Sequence, residues 1–255
     1  MDIQKYIFFL DYFSNVVNKA VAKGILNEGT LPQEILQLEG MSSHGIRILL
    51  NELCKGLPGA NYLEIGSWRG STFISALHNN PKINGTSIDS HSEYVNHPDF
   101  KTTAEMLANN CKQNLTHGEN YELITADCFE YKLPANKQYS IYLFDGPHDY
   151  ESQYKALTHY YDNLEDIFIY VCDDYSVRHV EEGTVAALKD LDIQVITEHK
   201  MFGYQAYAPH LTTGFWNGYY VAVCVKRKSF PDFFKTRADG SKYWAHRFSE
   251  PPFEN

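Results

Sequence analysis

Acidic side chains fall, one after another, where short apolar runs stop. Glu64 stands near the end of the run Asn61–Ile65, and Asp89 follows Gly85–Ile88. Asp127 comes after Tyr121–Thr125, Asp145 after Ser140–Phe144, and Asp173-Asp174 after Asp166–Cys172. Turns are rich in aspartate, so one such residue carries little weight; five successive runs that end in an acid carry more. Carboxylates that converge repel one another unless a cation joins them, and an all-oxygen set suits Mg²⁺ or Mn²⁺. Such an ion could grip neighbouring hydroxyls and lower the pKa of one of them. His148, in the stretch Asp145-Gly146-Pro147-His148-Asp149-Tyr150-Glu151, could then take the proton, because an imidazole titrates near neutrality. The plainer alternatives are a solvated turn for Asp173-Asp174 and an ordinary loop histidine.

The apolar runs themselves read as strands, with two more at Ile193–Glu198 and Tyr219–Val225. Helical patterns lie between the first several, at Ser71–His78, Phe100–Asn114, Ser152–Asn163 and Val180–Leu191. Alternation of this kind predicts an α/β fold, a doubly wound, mostly parallel seven-stranded sheet. The last two strands lack a helical connector, so residues 199–218 read as a long loop within an antiparallel C-terminal hairpin. In an open sheet, ligands bind outside the carboxyl ends of the strands, so the acids should line one crevice. The first strand leads into Glu64-Ile65-Gly66-Ser67-Trp68-Arg69-Gly70-Ser71-Thr72, whose glycines permit a tight turn and a close ligand. Asp89 is placed to accept hydrogen bonds from both hydroxyls of a ribose. Asp127 is placed to meet an adenine amino group, or equally to cap a helix.

Residues 60–227 resemble a class I S-adenosylmethionine-dependent methyltransferase in the E-x-G-x-x-x-G turn, in Asp89 and in the final hairpin. The D-G-x-H-x-Y-E stretch from Asp145 and the later Asp173-Asp174 are similar to the metal-dependent small-molecule O-methyltransferases, the macrocin and mycinamicin sugar enzymes among them. The resemblance implies a cofactor site made of Glu64, Gly66, Ser67, Gly70, Ser71, Thr72, Asp89, Ser90, Asp127, Cys128 and Asp145. It implies magnesium (or manganese) on Asp145, Asp173 and Asp174, and a base at His148. The macrocin type carries an acid two residues after its first ligand; Pro147 stands there in this chain, so Asp149 is the alternative base. The implied activity is methylation of a hydroxyl on a small molecule, a sugar or glycan above all. The alternatives are a metal-independent methyltransferase on another acceptor, protein or RNA among them, a nucleotide-cofactor oxidoreductase and a non-catalytic module. The lack of G-x-G-x-x-G speaks against the oxidoreductase.

Composition narrows the choice. The chain has 255 residues with a formal charge of −10, and its only basic cluster is Lys226, Arg227 and Lys228; nucleic acid is therefore a poor partner. Five cysteines without a C-x-x-C pair suggest buried thiols in a reducing cytoplasm. No stretch approaches the roughly 20 apolar residues of a membrane helix. Three regions are expected: an N-terminal helical lid over residues 1–57, a cofactor-binding domain over 58–228, and an aromatic tail over 229–255 that suits a homodimer contact. His44 and Arg47 could face the site from the lid, and Tyr150, Tyr175, His179 and the aromatic loop Phe202–Trp216 could shape the acceptor pocket. For all of these, packing or solvation is the safer expectation.

Overall fold

The apolar runs become the seven strands β1 (Asn61–Ile65), β2 (Asn84–Asp89), β3 (Asn120–Thr125), β4 (Tyr139–Phe144), β5 (Leu164–Cys172), β6 (Ile193–Met201) and β7 (Tyr219–Lys226). The helices are α1 (Ile3–Leu26), α2 (Gln33–Leu36), α3 (His44–Gly56), α4 (Ser71–Leu77), α5 (Thr103–Asn114), α6 (Tyr150–Tyr160) and α7 (Arg178–Asp190). The structure, a computed structural model, describes residues 3–92, 99–203 and 215–230. The tail from 231 onward and most of the aromatic loop, 204–214, lie outside the described residues.

The strands form one sheet in the order β3-β2-β1-β4-β5-β7-β6. β1 to β5 run parallel, and β7 enters antiparallel between β5 and β6. The hairpin expected at the edge is therefore present, with its second strand drawn inward. Burial explains the placement. Every residue of β7 is buried, as an inner strand requires, whereas β6 is only partly buried between its ends and carries a register shift between Val195 and Thr197, which suits an edge.

Two apolar layers cover the sheet. One joins Leu49, Leu50 and Leu53 of α3 and Val17 of α1 to Ile141, Ile169 and Val223 of the sheet, so the N-terminal helices share the main core. The other, under α6 and α7, is rich in tyrosine: Tyr139, Tyr142, Tyr160, Tyr170 and Tyr220 are all buried there. Four of the five hydroxyls find partners inside the fold, as Tyr142 does on the Ala156 carbonyl at 2.9 Å and Tyr139 on Thr86 Oγ1 at 3.0 Å; the Tyr170 hydroxyl has none among the described residues. Much of the high aromatic content is therefore structural. All five cysteines are free thiols, four of them buried. Among the described residues no helix is long and apolar enough to cross a membrane.

Candidate active site

The backbone ladder runs one step past the strands and fixes the residues that follow them. Gly66 N–H donates to Ile88 O, Asp145 N–H to Ile65 O, Asp173 N–H to Phe144 O and Ala126 N–H to Asp89 O, all at 3.0–3.1 Å. Gly66, Asp89, Asp145 and Asp173 thus stand along one edge of the sheet. The strand order reverses between β1 and β4, which opens a crevice there.

The crevice holds two adjoining cavities. One, about 250 Å³, is lined by Met41, Ser42, Gly66, Ser67, Trp68, Ser71, Thr72, Asp89, Ser90, His91, Ser92, Thr103, Asp145 and His148. The other, about 280 Å³, adds Asp127, Cys128, Gly146 and Pro147 to the shared Gly66, Asp89, Ser90 and Asp145. Nine of the eleven residues expected around a cofactor therefore meet in one place, along with His148. Both oxygens of Asp89 already accept backbone N–H groups, Oδ2 from Trp68 and Oδ1 from His91, each at 2.7 Å. These bonds fix its direction, and each oxygen keeps a lone pair. Asp127 does both things allowed for it. Its Oδ1 caps the following turn by accepting from Phe129 and Glu130 N–H, and the residue still borders the second cavity.

Two of the expected contacts lie elsewhere. Glu64 is buried and turns away from the crevice. Its carboxylate accepts the hydroxyls of Tyr62 and, at 2.7 Å, Thr72, so it ties β1 to α4 behind the turn. Burial raises its pKa to about 7, against the pull of those bonds. Gly70 (φ 91°) also misses the cavities, and a Cβ on it would run into Leu107. At Gly66 (φ 84°) a Cβ would overlap the Asp145 carbonyl oxygen. The glycine is required by the approach of the two strand ends, as well as by any ligand.

At the far end of the crevice the acids sort themselves. Asp173 is buried and hydrogen-bonded to Asp145; burial first, then the charges of Asp145 and Asp174, push its carboxyl well above the usual range. The Tyr219 hydroxyl also bonds Asp173. Asp174, in the left-handed region at φ 54°, points instead to His148, with Oδ2 3.0 Å from Nδ1. His148 Nε2 lies 3.6 Å from Asp145 Oδ1. The neighbouring carboxylates of Asp145 and Asp174 favour the protonated imidazole and raise its pKa to about 10.

The expected metal trio is brought together only in part. Asp145 and Asp173 converge, but Asp174 pairs with the histidine, and among the described residues no group of three or more His, Cys, Asp or Glu is arranged to hold a metal ion. As placed, the residues do not fit a three-carboxylate cage. Asp149 is engaged in its own helix. Its carboxylate caps α6 by accepting from Ser152 N at 2.9 Å and Ser152 Oγ at 2.6 Å, and those bonds hold it below the usual range.

Of the residues suggested for an acceptor pocket, Tyr175 is buried and stacked on Tyr220, with 4.7 Å between centroids. His179 sits on the exposed face of α7 beside Glu182, and Tyr150 is exposed. The sequence reading passed over Met41, Ser42, Trp68, His91, Ser92 and Thr103. His91 bonds Thr103 Oγ1 at 2.8 Å, and burial lowers its pKa. Its place directly after Asp89-Ser90 was the available signal; the loop before α3 gave none.

No protein-family model matches the chain, and no curated protein sequence matches it either. Solved structures do. One is TrmN from Thermus thermophilus, at TM-score 0.51 and 11% identity, covering 76% of this chain and 52% of that one. A Pyrococcus horikoshii protein assigned as an RNA methyltransferase gives TM-score 0.50 and 13% identity over 82% and 98%. A Staphylococcus aureus protein assigned as a caffeoyl-CoA O-methyltransferase gives TM-score 0.49 and 14% identity over 69% and 81%. This chain thus spans about half of the first and nearly all of the second. With its strand order, its antiparallel β7 and its crevice between β1 and β4, the chain has the Rossmann-like fold of the class I S-adenosylmethionine-dependent methyltransferases.

Proposed function

We propose that the protein is an S-adenosylmethionine-dependent O-methyltransferase acting on a hydroxyl of a small molecule, with a sugar or glycan the best-suited class. The observation that carries this is the pair of joined cavities along Gly66, Asp89 and Asp145, with His148 at the wall of the one that also holds Ser71 and Thr72. The nucleoside lies along Asp89 toward Asp127 and Cys128, and the methionine end lies toward Ser71 and Thr72. The reaction breaks the sulfur–methyl bond and forms an oxygen–methyl bond. The electron pair stays on sulfur, and the hydroxyl proton leaves to a base.

His148 is that base. Asp174 holds Nδ1 and fixes the ring, while Nε2, 3.6 Å from Asp145, is beyond hydrogen-bond distance and faces the cavity side. The imidazolium first gives its Nε2 proton to solvent, a form that gains population as pH rises toward about 10, and Nε2 then receives the hydroxyl proton. Alignment and charge stabilisation supply the rest of the rate. The net charge of −10 weighs against RNA as the acceptor.

The first test is thermal unfolding with S-adenosylhomocysteine, against NAD. A ligand at 100 times its Kd adds about 2.7 kcal/mol, a shift of several degrees for a chain of this size. A shift with NAD alone would overturn the reading. Release of S-adenosylhomocysteine is then followed over a panel of sugars, catechols and RNA. Turnover on RNA alone would refute the small-molecule acceptor. Metal dependence rests on the Asp145–Asp173 pair, which can share a proton or hold a cation. Loss of turnover in excess chelator, with recovery on added Mg²⁺, assigns the cation; unchanged turnover assigns the proton.

A further inference from the structure

Arg47 is fully buried, yet among the described residues no carboxylate lies within ion-pair distance of its guanidinium. Burial brings its pKa down to about 10, so it is charged at neutral pH. A buried, unpaired cation is costly and calls for an anion nearby. Its donors show where. Nη1 is used on the carbonyls of Ile35 and Leu36, at 3.2 and 2.8 Å. Nε donates to Ser42 Oγ at 3.0 Å, and Nη2 has no partner.

The bond to Ser42 sets a direction. Because Arg47 donates to its oxygen, the Ser42 proton points onward. Ser71 Oγ is 3.0 Å away, and both serines line the same cavity as His148. Nη2 faces the same spot: a Cβ on Gly40 would lie 3.3 Å from it and would overlap Ser71 Oγ. The two hydroxyls therefore offer the cavity a polarised donor backed by a fixed positive charge. That is a site for an anion, and the carboxylate of Asp89, across the cavity, is committed to Trp68 and His91 N–H.

We propose that Arg47 is a positioning residue for the carboxylate at the amino-acid end of the cofactor, acting through the hydroxyls of Ser42 and Ser71. This rests on the crevice being the S-adenosylmethionine site. It assigns the free carboxylate to the Ser42–Ser71 wall and so sets the methionine end opposite the nucleoside end at Asp127.

Calorimetry on the intact protein tests it with three ligands: S-adenosylhomocysteine, its carboxamide, and 5′-methylthioadenosine, which lacks the amino-acid end. Wild type should bind the acid about tenfold more tightly than the carboxamide, the worth of one charge-assisted hydrogen bond. Arg47→Met should remove that preference while methylthioadenosine binds as before, and Arg47→Lys should keep part of it. Equal wild-type affinity for acid and carboxamide overturns the proposal. So does a loss in Arg47→Met that is equal for all three ligands, which is the mark of a structural role. If Arg47→Met does not fold, Ser42→Ala replaces it: a preference that survives there overturns the relay. Wild type that binds none of the three refutes the cofactor reading itself, an outcome distinct from the others.

Discussion

Replacing Glu64 by Gln should change how stability depends on pH. Glu64 is buried, and burial raises its carboxyl from an ordinary 4.5 to about 7. Between those values the native state holds a proton that the unfolded chain has released. Stability from this group is therefore full below pH 4.5 and is lost as pH rises to about 7. At 1.36 kcal/mol per pKa unit, the loss is about 3 kcal/mol by pH 8. Gln resembles the protonated acid, since it offers one acceptor and one donor group to Tyr62 and Thr72. Glu64→Gln should thus match wild type near pH 5 and exceed it at pH 8. Other titrating groups, Asp173 among them, are common to both proteins and cancel in the difference. Urea unfolding at pH 5, 6, 7 and 8 reads this difference directly. A variant less stable than wild type by the same amount at every pH would refute the reasoning, because Glu64 would then act as an ordinary ionised hydrogen-bond acceptor.

Gly66→Ala places a side chain at φ 84° and into the Asp145 carbonyl, so urea unfolding should show a loss of about 2–4 kcal/mol; a loss under about 1 kcal/mol would deny the contact. His148→Ala should lower turnover by about a hundredfold or more, with the Kd for S-adenosylhomocysteine within about twofold of wild type. Asp149→Ala should cost about 1 kcal/mol through the lost helix cap and leave turnover intact; abolished turnover would move the base to Asp149. Asp89→Asn should weaken S-adenosylhomocysteine and 5′-methylthioadenosine alike by about tenfold, because both carry the ribose; unchanged calorimetric affinity for either would remove Asp89 from the site.

The strands were legible because each is a short apolar run with polar punctuation, and β1 falls where that pattern puts it. The crevice was legible because strand ends in a parallel sheet share one edge. Side-chain direction was not. Glu64 and Tyr62 lie two apart on one strand and so face the same way, into the protein; the Tyr62-x-Glu64 spacing with Thr72 on the next helix was the unread sign. Asp149 with Ser152 three residues on is a helix-start pattern, but α6 was expected to begin at Ser152, which left Asp149 free for chemistry. Asp174 needed a left-handed backbone to reach His148, and nothing in a D-D pair announces that.

The meeting of Gly66 with the Asp145 carbonyl has a mechanical consequence. The ends of β1 and β4 are in van der Waals contact and joined by a backbone hydrogen bond, so the Gly66 wall of the crevice and the wall that carries Asp145 form one block. No hinge separates them. Under the proposed function, the spacing between methyl donor and base is then set when the sheet folds, rather than at each encounter with substrate.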